Sequence, residues 1–204
     1  MKLVFDFGGV VFRWEPQQFL MRLLPARAPT RSAARRLALE FFQAFGGDWG
    51  EFDRGRIDPG ALAGRIAARL GLALDEARRV IDAIPDELQP VPETVELLQR
   101  LHAAGETFFF LSNMPDPYAR HLEANHDVLR FFERGVYSSR VGLIKPEPAI
   151  FVRAAAVFDA APAELLLIDD IEANVEAAKH AGWRGLQFYD ARRCAADLAA
   201  MGLG

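Results

Sequence analysis

Apolar residues along this chain fall into two kinds of run. Short, nearly unbroken runs cover Leu3 to Phe7, Thr107 to Leu111, Leu165 to Ile168 and Leu186 to Tyr189, with Val136-Tyr137 a weaker fifth. Unbroken rather than alternating apolar strands suit a parallel sheet buried on both faces. Other stretches repeat apolar residues every three or four positions, the period of an amphipathic helix. Pro92 opens one that carries Leu97, Leu98 and Leu101 and stops at Gly105. Pro148 opens another with Ile150, Phe151, Ala154 and Val157, and a third runs from Ile171 to Ala181, ended by Gly182. Proline at the start and glycine past the end are the expected helix boundaries. Strand–helix alternation of this kind predicts an α/β fold with a doubly wound parallel sheet.

Residues 15–90 break the alternation. They show helical periodicity and no convincing strand. Phe19, Leu20, Leu23 and Leu24 share one face; Leu37, Phe41, Phe42 and Phe45 share another; Leu62, Ile66 and Leu70 a third; Val80, Ile81 and Ile84 a fourth. Four helices inserted after the first strand predict a small all-helical cap over 15–90, with the α/β core built from 1–14 and 91–204. Such a cap belongs over the carboxyl edge of the sheet, where ligands bind in open α/β folds.

Composition narrows the function. Half of the 204 residues are apolar (51%), enough for a large core. A net charge of −4 leaves no basic excess for nucleic acid or an anionic membrane. Arg31, Arg35 and Arg36 cluster, but with alanine and leucine between them they read as the wet face of a helix. Cys194 is the single cysteine, which excludes a disulfide framework or a cysteine zinc site within one chain. Asp6 interrupts the apolar amino terminus where a signal peptide would continue, and no run approaches the roughly 20 residues of a membrane span. A cytoplasmic protein acting on a small molecule is the expectation.

The residues able to do chemistry stand just beyond the strand ends: Asp6 with Gly8-Gly9, Ser112-Asn113, Lys145-Pro146, and Asp169-Asp170. Carboxylates this concentrated raise one another's pKa unless a cation neutralises them. Mg²⁺ takes oxygen ligands, commonly one or two carboxylates with waters and substrate phosphate, so the set reads as a magnesium site. Lys145 supplies positive charge for a phosphate, while Ser112 and the backbone amides around Asn113 supply donors. Gly8-Gly9 leaves room for close approach of backbone to ligand. Taken singly, each has a plainer use. Asp169-Asp170 would serve to cap a helix at Ile171, Ser112-Asn113 would make a turn, and Lys145 would be solvated. Trp14, Trp49 and Phe52 suit aromatic packing as well as a substrate wall. His102, His121, His126 and His180 are scattered without ligand spacing. The order of the four clusters at successive strand ends favours phosphoryl transfer through an aspartyl-phosphate.

Phe-Asp6-Phe-Gly-Gly-Val, Leu-Ser112-Asn113, Leu-Ile-Lys145-Pro146-Glu-Pro and Ile-Asp169-Asp170-Ile-Glu-Ala-Asn174 resemble, in order, the four motifs of the haloacid dehalogenase superfamily. The likeness extends over nearly the whole chain, and the branch it most resembles is that of sugar-phosphate phosphatases similar to bacterial α-glucose-1-phosphatase. The resemblance implies that Asp6 attacks phosphorus and binds Mg²⁺, with the Gly8 carbonyl and Asp170 as further ligands. It implies that Asp169 acts through water or as a weaker ligand, and that Ser112 and Lys145 hold the phosphoryl group. Asn174 would tether Lys145 or a neighbouring loop.

One position departs from the superfamily pattern. Two residues after the nucleophile, where an aspartate usually serves as general acid and base, stands Gly8. Three explanations fit: a leaving group good enough to depart unaided, as from an aldose 1-phosphate; a cap residue or water as proton donor instead, with Glu15, Asp53 and Asp116 as candidate residues; or a weak enzyme reduced to a binding role. A 2-haloacid dehalogenase would also need no acid, but it works without Mg²⁺ and has no use for Asp169-Asp170.

Overall fold

The computed structural model describes residues 1–203, and the side chain of Phe45 also lies outside the described residues. Among these residues are five strands: β1 Lys2–Phe5, β2 Phe108–Ser112, β3 Phe132–Tyr137, β4 Leu165–Asp169 and β5 Arg184–Gln187. The helices in chain order are α1 Pro16–Leu23, α2 Arg31–Phe42, α3 Gly47–Asp53, α4 Pro59–Leu70, α5 Leu74–Glu87, α6 Pro92–Ala103, α7 Asp116–Asn125, α8 Ser138–Val141, α9 Pro148–Phe158, α10 Glu172–His180 and α11 Ala191–Ala200. No described helix is long and apolar enough to cross a membrane.

The strands form one parallel sheet in the order β3-β2-β1-β4-β5. Because side chains alternate along a strand, the sheet feeds two cores. Leu3, Phe5, Phe108, Leu166 and Ile168 join one cluster, which extends to α6, α11 and the helices of 16–87. Val4, Phe109, Leu111, Leu165 and Leu167 join the other, under α9 and α10. Central strands buried on both faces explain why their apolar runs are unbroken.

The edge strands differ from the sequence expectation for the same reason. β3 begins at Phe132 rather than Val136, and its Glu133 and Arg134 are exposed. β5 covers Arg184–Gln187 rather than Leu186 to Tyr189. Each edge strand has a neighbour on one side only, so burial does not demand an apolar run there.

Residues 16–87 are wholly helical apart from connections, but with five α-helices, not four. The additional one is α3, whose Gly47-Asp48-Trp49-Gly50 start hides its periodicity. Phe19 and Leu20, Leu37 and Phe41, Leu62 and Ile66, and Val80, Ile81 and Ile84 are buried as their spacing predicts, and Arg31, Arg35 and Arg36 are exposed on α2. Asp58 caps α4 by accepting from the Ala61 amide at 2.8 Å, ahead of Pro59. The chain enters and leaves the helical segment through one seam. Arg13 N–H donates to the Gln89 carbonyl at 2.8 Å, Val91 N–H to the Val11 carbonyl at 2.9 Å, and the Thr94 hydroxyl to the Val10 carbonyl at 2.9 Å.

Candidate active site

Parallel strands end at one edge, and residues just beyond their ends are gathered there. Asp6 comes directly after β1, its amide still paired to the Ile168 carbonyl of β4 at 2.9 Å. Ser112 closes β2, Asp169 closes β4, and Lys145 comes from the loop between α8 and α9. Ser112, Lys145 and Asp169 are almost fully buried and Asp6 nearly so.

Lys145 joins the two strand-end carboxylates. Its Nζ lies 2.9 Å from Asp6 Oδ1 and 2.6 Å from Asp169 Oδ2. Burial alone would push the Lys145 pKa down, but Asp169 and Asp6 beside it more than offset that, and the net direction is up. Asp6 Oδ1 also accepts from the Phe7 amide at 2.7 Å. Burial, chiefly, and the charges of Asp169 and Asp170 push the Asp6 carboxyl up to about 7, against the pull of Lys145.

The two adjacent aspartates have opposite surroundings. Asp169 Oδ1 accepts from the Ile171 amide at 2.9 Å and from Asn174 Nδ2 at 3.0 Å; its Oδ2 accepts from Lys145 and from Asn174 at 3.1 Å. Asp170 Oδ1 is buried with no hydrogen-bond partner among the described residues. Burial and then Asp169 raise the Asp170 carboxyl to about 6. Asp6, Asp169 and Asp170 are the one group of three or more metal-ligating side chains that comes together among the described residues, with an oxygen from each within 4.8 Å of the others. Converging, partly orphaned carboxyl oxygens fit a hard divalent cation such as Mg²⁺. Neither aspartate caps a helix at Ile171: α10 begins at Glu172 and has no side-chain cap.

The glycines are shaped by these neighbours. Gly9 adopts φ +79°, and a Cβ there would lie 2.5 Å from Asp170 Oδ2. Only glycine permits both the backbone conformation and the approach of Asp170. A Cβ on Gly8 would instead meet Trp14 Cβ at an ordinary 3.7 Å.

Three placements differ from the sequence reading. Asn174 donates to Asp169 rather than to Lys145. The Asn113 side chain grips the lysine loop, its Oδ1 accepting from the Lys145 amide at 2.8 Å and its Nδ2 donating to the Lys145 carbonyl at 2.9 Å. Of the backbone amides near Asn113, that of Met114 is taken by Ser138 Oγ at 2.8 Å and is not free for phosphate. Ser138 lay outside the sequence reading; an ordinary serine after a weak strand carries no signal of its own. Trp49 and Phe52 are buried in an aromatic chain with Phe42 and Tyr118, with ring centroids 4.7 Å apart for Phe42–Trp49, 5.7 Å for Trp49–Phe52 and 5.5 Å for Phe52–Tyr118. Trp14 alone of the three borders the site, at Gly8.

A strand-end carboxylate, a buried lysine and paired acids at the carboxyl edge of a parallel sheet define a class before any relative is considered. The haloacid dehalogenase-like hydrolase family matches residues 3–182, and the chain belongs to that family of hydrolases. It is 25% identical to the sesquiterpene phosphatase astK of Aspergillus oryzae, across 96% of this chain and 93% of that one. A shorter likeness, 28% identical, links 45% of this chain to 36% of a phosphoglycolate phosphatase from Salmonella paratyphi A. The fold is shared with the HAD family enzyme bt-2542 from Bacteroides thetaiotaomicron, crystallised with magnesium and inorganic phosphate. That likeness has a TM-score of 0.71 and 22% identity over 92% of this chain and 93% of that one.

Proposed function

We propose that this hydrolase is a Mg²⁺-dependent phosphatase of small phosphomonoesters that uses Asp6 as nucleophile. The observation that carries the reading is the contrast at one sheet edge between Asp6, held by Lys145, and Asp170, whose buried Oδ1 lacks a partner. Asp6, the Gly8 carbonyl and Asp170 would hold the ion, with Asp169 a weaker participant because its oxygens are already engaged. Bound there, Mg²⁺ would supply positive charge against the phosphate and the clustered carboxylates.

Lys145 favours the ionised form of Asp6 and aims it, and its ammonium would balance the phosphoryl charge among these buried groups. Asn113 and Asp169 fix the lysine from its backbone and its tip. Ser112 offers its hydroxyl to a phosphoryl oxygen. The Asp6 carboxylate forms the new bond to phosphorus as the ester oxygen leaves, and water then cleaves the aspartyl-phosphate. The segment 15–90 serves as the cap that closes over this edge.

Sugar phosphates are the first substrate class to test. Trp14 beside Gly8 continues into Phe19 and Phe42, at ring separations of 5.9 and 5.3 Å. The half-buried Trp14 ring, backed by these two buried phenylalanines, together with the relative named a sesquiterpene phosphatase, favours prenyl monophosphates as a second class. Phosphate release from p-nitrophenyl, sugar and prenyl phosphates should require Mg²⁺, stop with EDTA, and fall at least ~10⁴-fold in Asp6→Asn, the scale of losing a nucleophile. Inactivity on every ester would sink the reading. Chloride release from 2-chloropropionate in EDTA would replace it with a dehalogenase.

A further inference from the structure

Gly8 leaves the reaction without a proton donor at the expected place. Among the described residues between 16 and 87, Asp53 is the one buried polar side chain, 2% exposed, and its Oδ2 has no hydrogen-bond partner. Every other acid in that segment reaches solvent or a surface partner. We infer that Asp53, carried on α3 from the helical segment, is the general acid that protonates the leaving oxygen and compensates for Gly8. The inference rests on the phosphatase reading above.

Two backbone ties place Asp53 beside the site. Its carbonyl accepts from Ser138 Oγ at 2.6 Å, and the same Oγ accepts from the Met114 amide at 2.8 Å, two residues past Ser112. One hydroxyl thus ties the end of α3 to the loop that carries the phosphate donors. Gly55 adds a second tie: at φ +72°, a Cβ there would lie 2.9 Å from the Ser139 carbonyl oxygen, so the chain after α3 lies tightly on α8.

The surroundings keep the Asp53 proton in place. Arg54, the adjacent cation, is directed to Glu51 at 3.3 Å and to Glu147. Tyr118, on Phe52, donates its hydroxyl to the Ile81 carbonyl at 2.8 Å rather than to Asp53. Burial, the largest influence, and Asp6 together hold the Asp53 carboxyl well above its usual range, against Arg54 and Lys145. A carboxylic acid kept neutral in this way is suited to donate.

The rivals are less well placed. Glu15 is exposed. Asp116 is ion-paired to Arg120 at 2.8 Å and Arg140 at 3.0 Å.

The step balances. As Asp6 bonds to phosphorus and the P–O ester bond breaks, the Asp53 proton passes to the departing oxygen, which leaves as alcohol. The Asp53 carboxylate then accepts a proton from the water that attacks phosphorus, which frees Asp6, releases phosphate and restores the acid.

The test compares n-butyl phosphate, which needs protonation to leave, with p-nitrophenyl phosphate, which needs little. Full-length enzyme with Mg²⁺ is mixed with each ester, and alcohol release is followed through the first turnover. Asp53→Asn preserves shape and should lower the butyl-to-nitrophenyl rate ratio by ~10² or more, within the usual range for a general acid. Adding Gly8→Asp to that variant should recover the ratio, since position 8 has room for a side chain. Gly8→Asp alone should change it by less than about tenfold, a result that does not depend on how Asp53→Asn folds. Equal losses on both esters in Asp53→Asn would overturn the inference. So would a wild type that cleaves only the nitrophenyl ester, or a large selective gain from Gly8→Asp alone. Wild type that cleaves neither ester would instead refute the phosphatase reading itself.

Discussion

The carboxyl edge of the sheet and the helical segment over 16–87 are held together by different physics. At the edge, buried polar groups are linked across elements, Asp6 and Asp169 by Lys145, Asp169 by Asn174 and the Lys145 backbone by Asn113, while Asp170 Oδ1 is left without a partner among the described residues. In the helical segment the buried side chains are apolar, with Asp53 the exception among the described residues. Apolar positions tolerate exchange for residues of similar volume, at less than ~1.5 kcal/mol for conservative swaps. A linked set of buried charges does not, because removing one member strands the others. The edge therefore demands particular residues, and the segment, Asp53 apart, demands only a pattern.

The largest effect separating the regions should come from Lys145→Met in metal-free protein. Asp6 and Asp169 would then face each other without a cation, and breaking a buried pair in this way costs about 3–5 kcal/mol. A carboxyl whose folded pKa lies above its unfolded value stabilises the fold at low pH and loses that contribution as pH rises through the folded pKa. Asp6 already stands at about 7, and loss of Lys145, which pulls it down, moves it higher. The stability deficit should accordingly be small at pH 5 and wide at pH 8 in urea titrations. An equal deficit at both would mean that the ion pairs are not what distinguishes this edge.

The next test asks whether the joint between the regions belongs to the site or to the packing. Gly55 and Gly71 are both in the left-handed region, at φ +72° and +63°. Alanine at either costs about 1–2 kcal/mol for backbone alone. At Gly71 a Cβ meets nothing within 4 Å, whereas at Gly55 it meets the Ser139 carbonyl. Gly71→Ala should lose only stability. Gly55→Ala should lose more, about 2 kcal/mol or above, and should also lower kcat by shifting the end of α3 from Ser138. Equal kcat in the two variants would place the joint with the packing.

This contrast also explains what is legible in the residues. The central strands are readable because burial on both faces makes them apolar throughout, and Asp6, Ser112 and Asp169-Asp170 because polar residues beside such runs have few other uses; Lys145 joins them from the loop after α8 rather than from a strand end. Edge strands β3 and β5 blur because one side faces solvent. α3 is hidden because Gly46, Gly47 and Gly50 break the helical pattern, although Trp49 and Phe52 lie on its buried face. Asp53 is visible in the sequence only as one acid among three, since nothing in Phe-Asp53-Arg-Gly says that the carboxyl is buried and the arginine turned away. Its rank emerges from tertiary placement. The partners of Asn113 and Asn174 are hidden for the same reason: amide side chains carry no mark of which neighbour they bind.

The smallest effect concerns two neighbours that the sequence treats alike, Asp169 and Asp170. In metal-free protein Asp169 is anchored by Lys145, Asn174 and the Ile171 amide, so Asp169→Asn removes an ion pair and should lower Tm. Asp170 is the reverse case. Its carboxyl is raised to about 6, so at pH ~7.5 its ionised form opposes folding, and Asp170→Asn should melt at or above the wild-type Tm. Mg²⁺ should invert that order. At ten times its Kd a bound ion adds about 1.4 kcal/mol, which for a chain of this size raises Tm by about 3–6 °C. The wild type should show this rise and Asp170→Asn should not, because the variant has lost the oxygen that lacks any other partner. A wild-type melt indifferent to Mg²⁺, or a full shift retained in Asp170→Asn, would remove Asp170 from the metal site. The unpartnered oxygen would then have to be explained by packing, as in the helical segment.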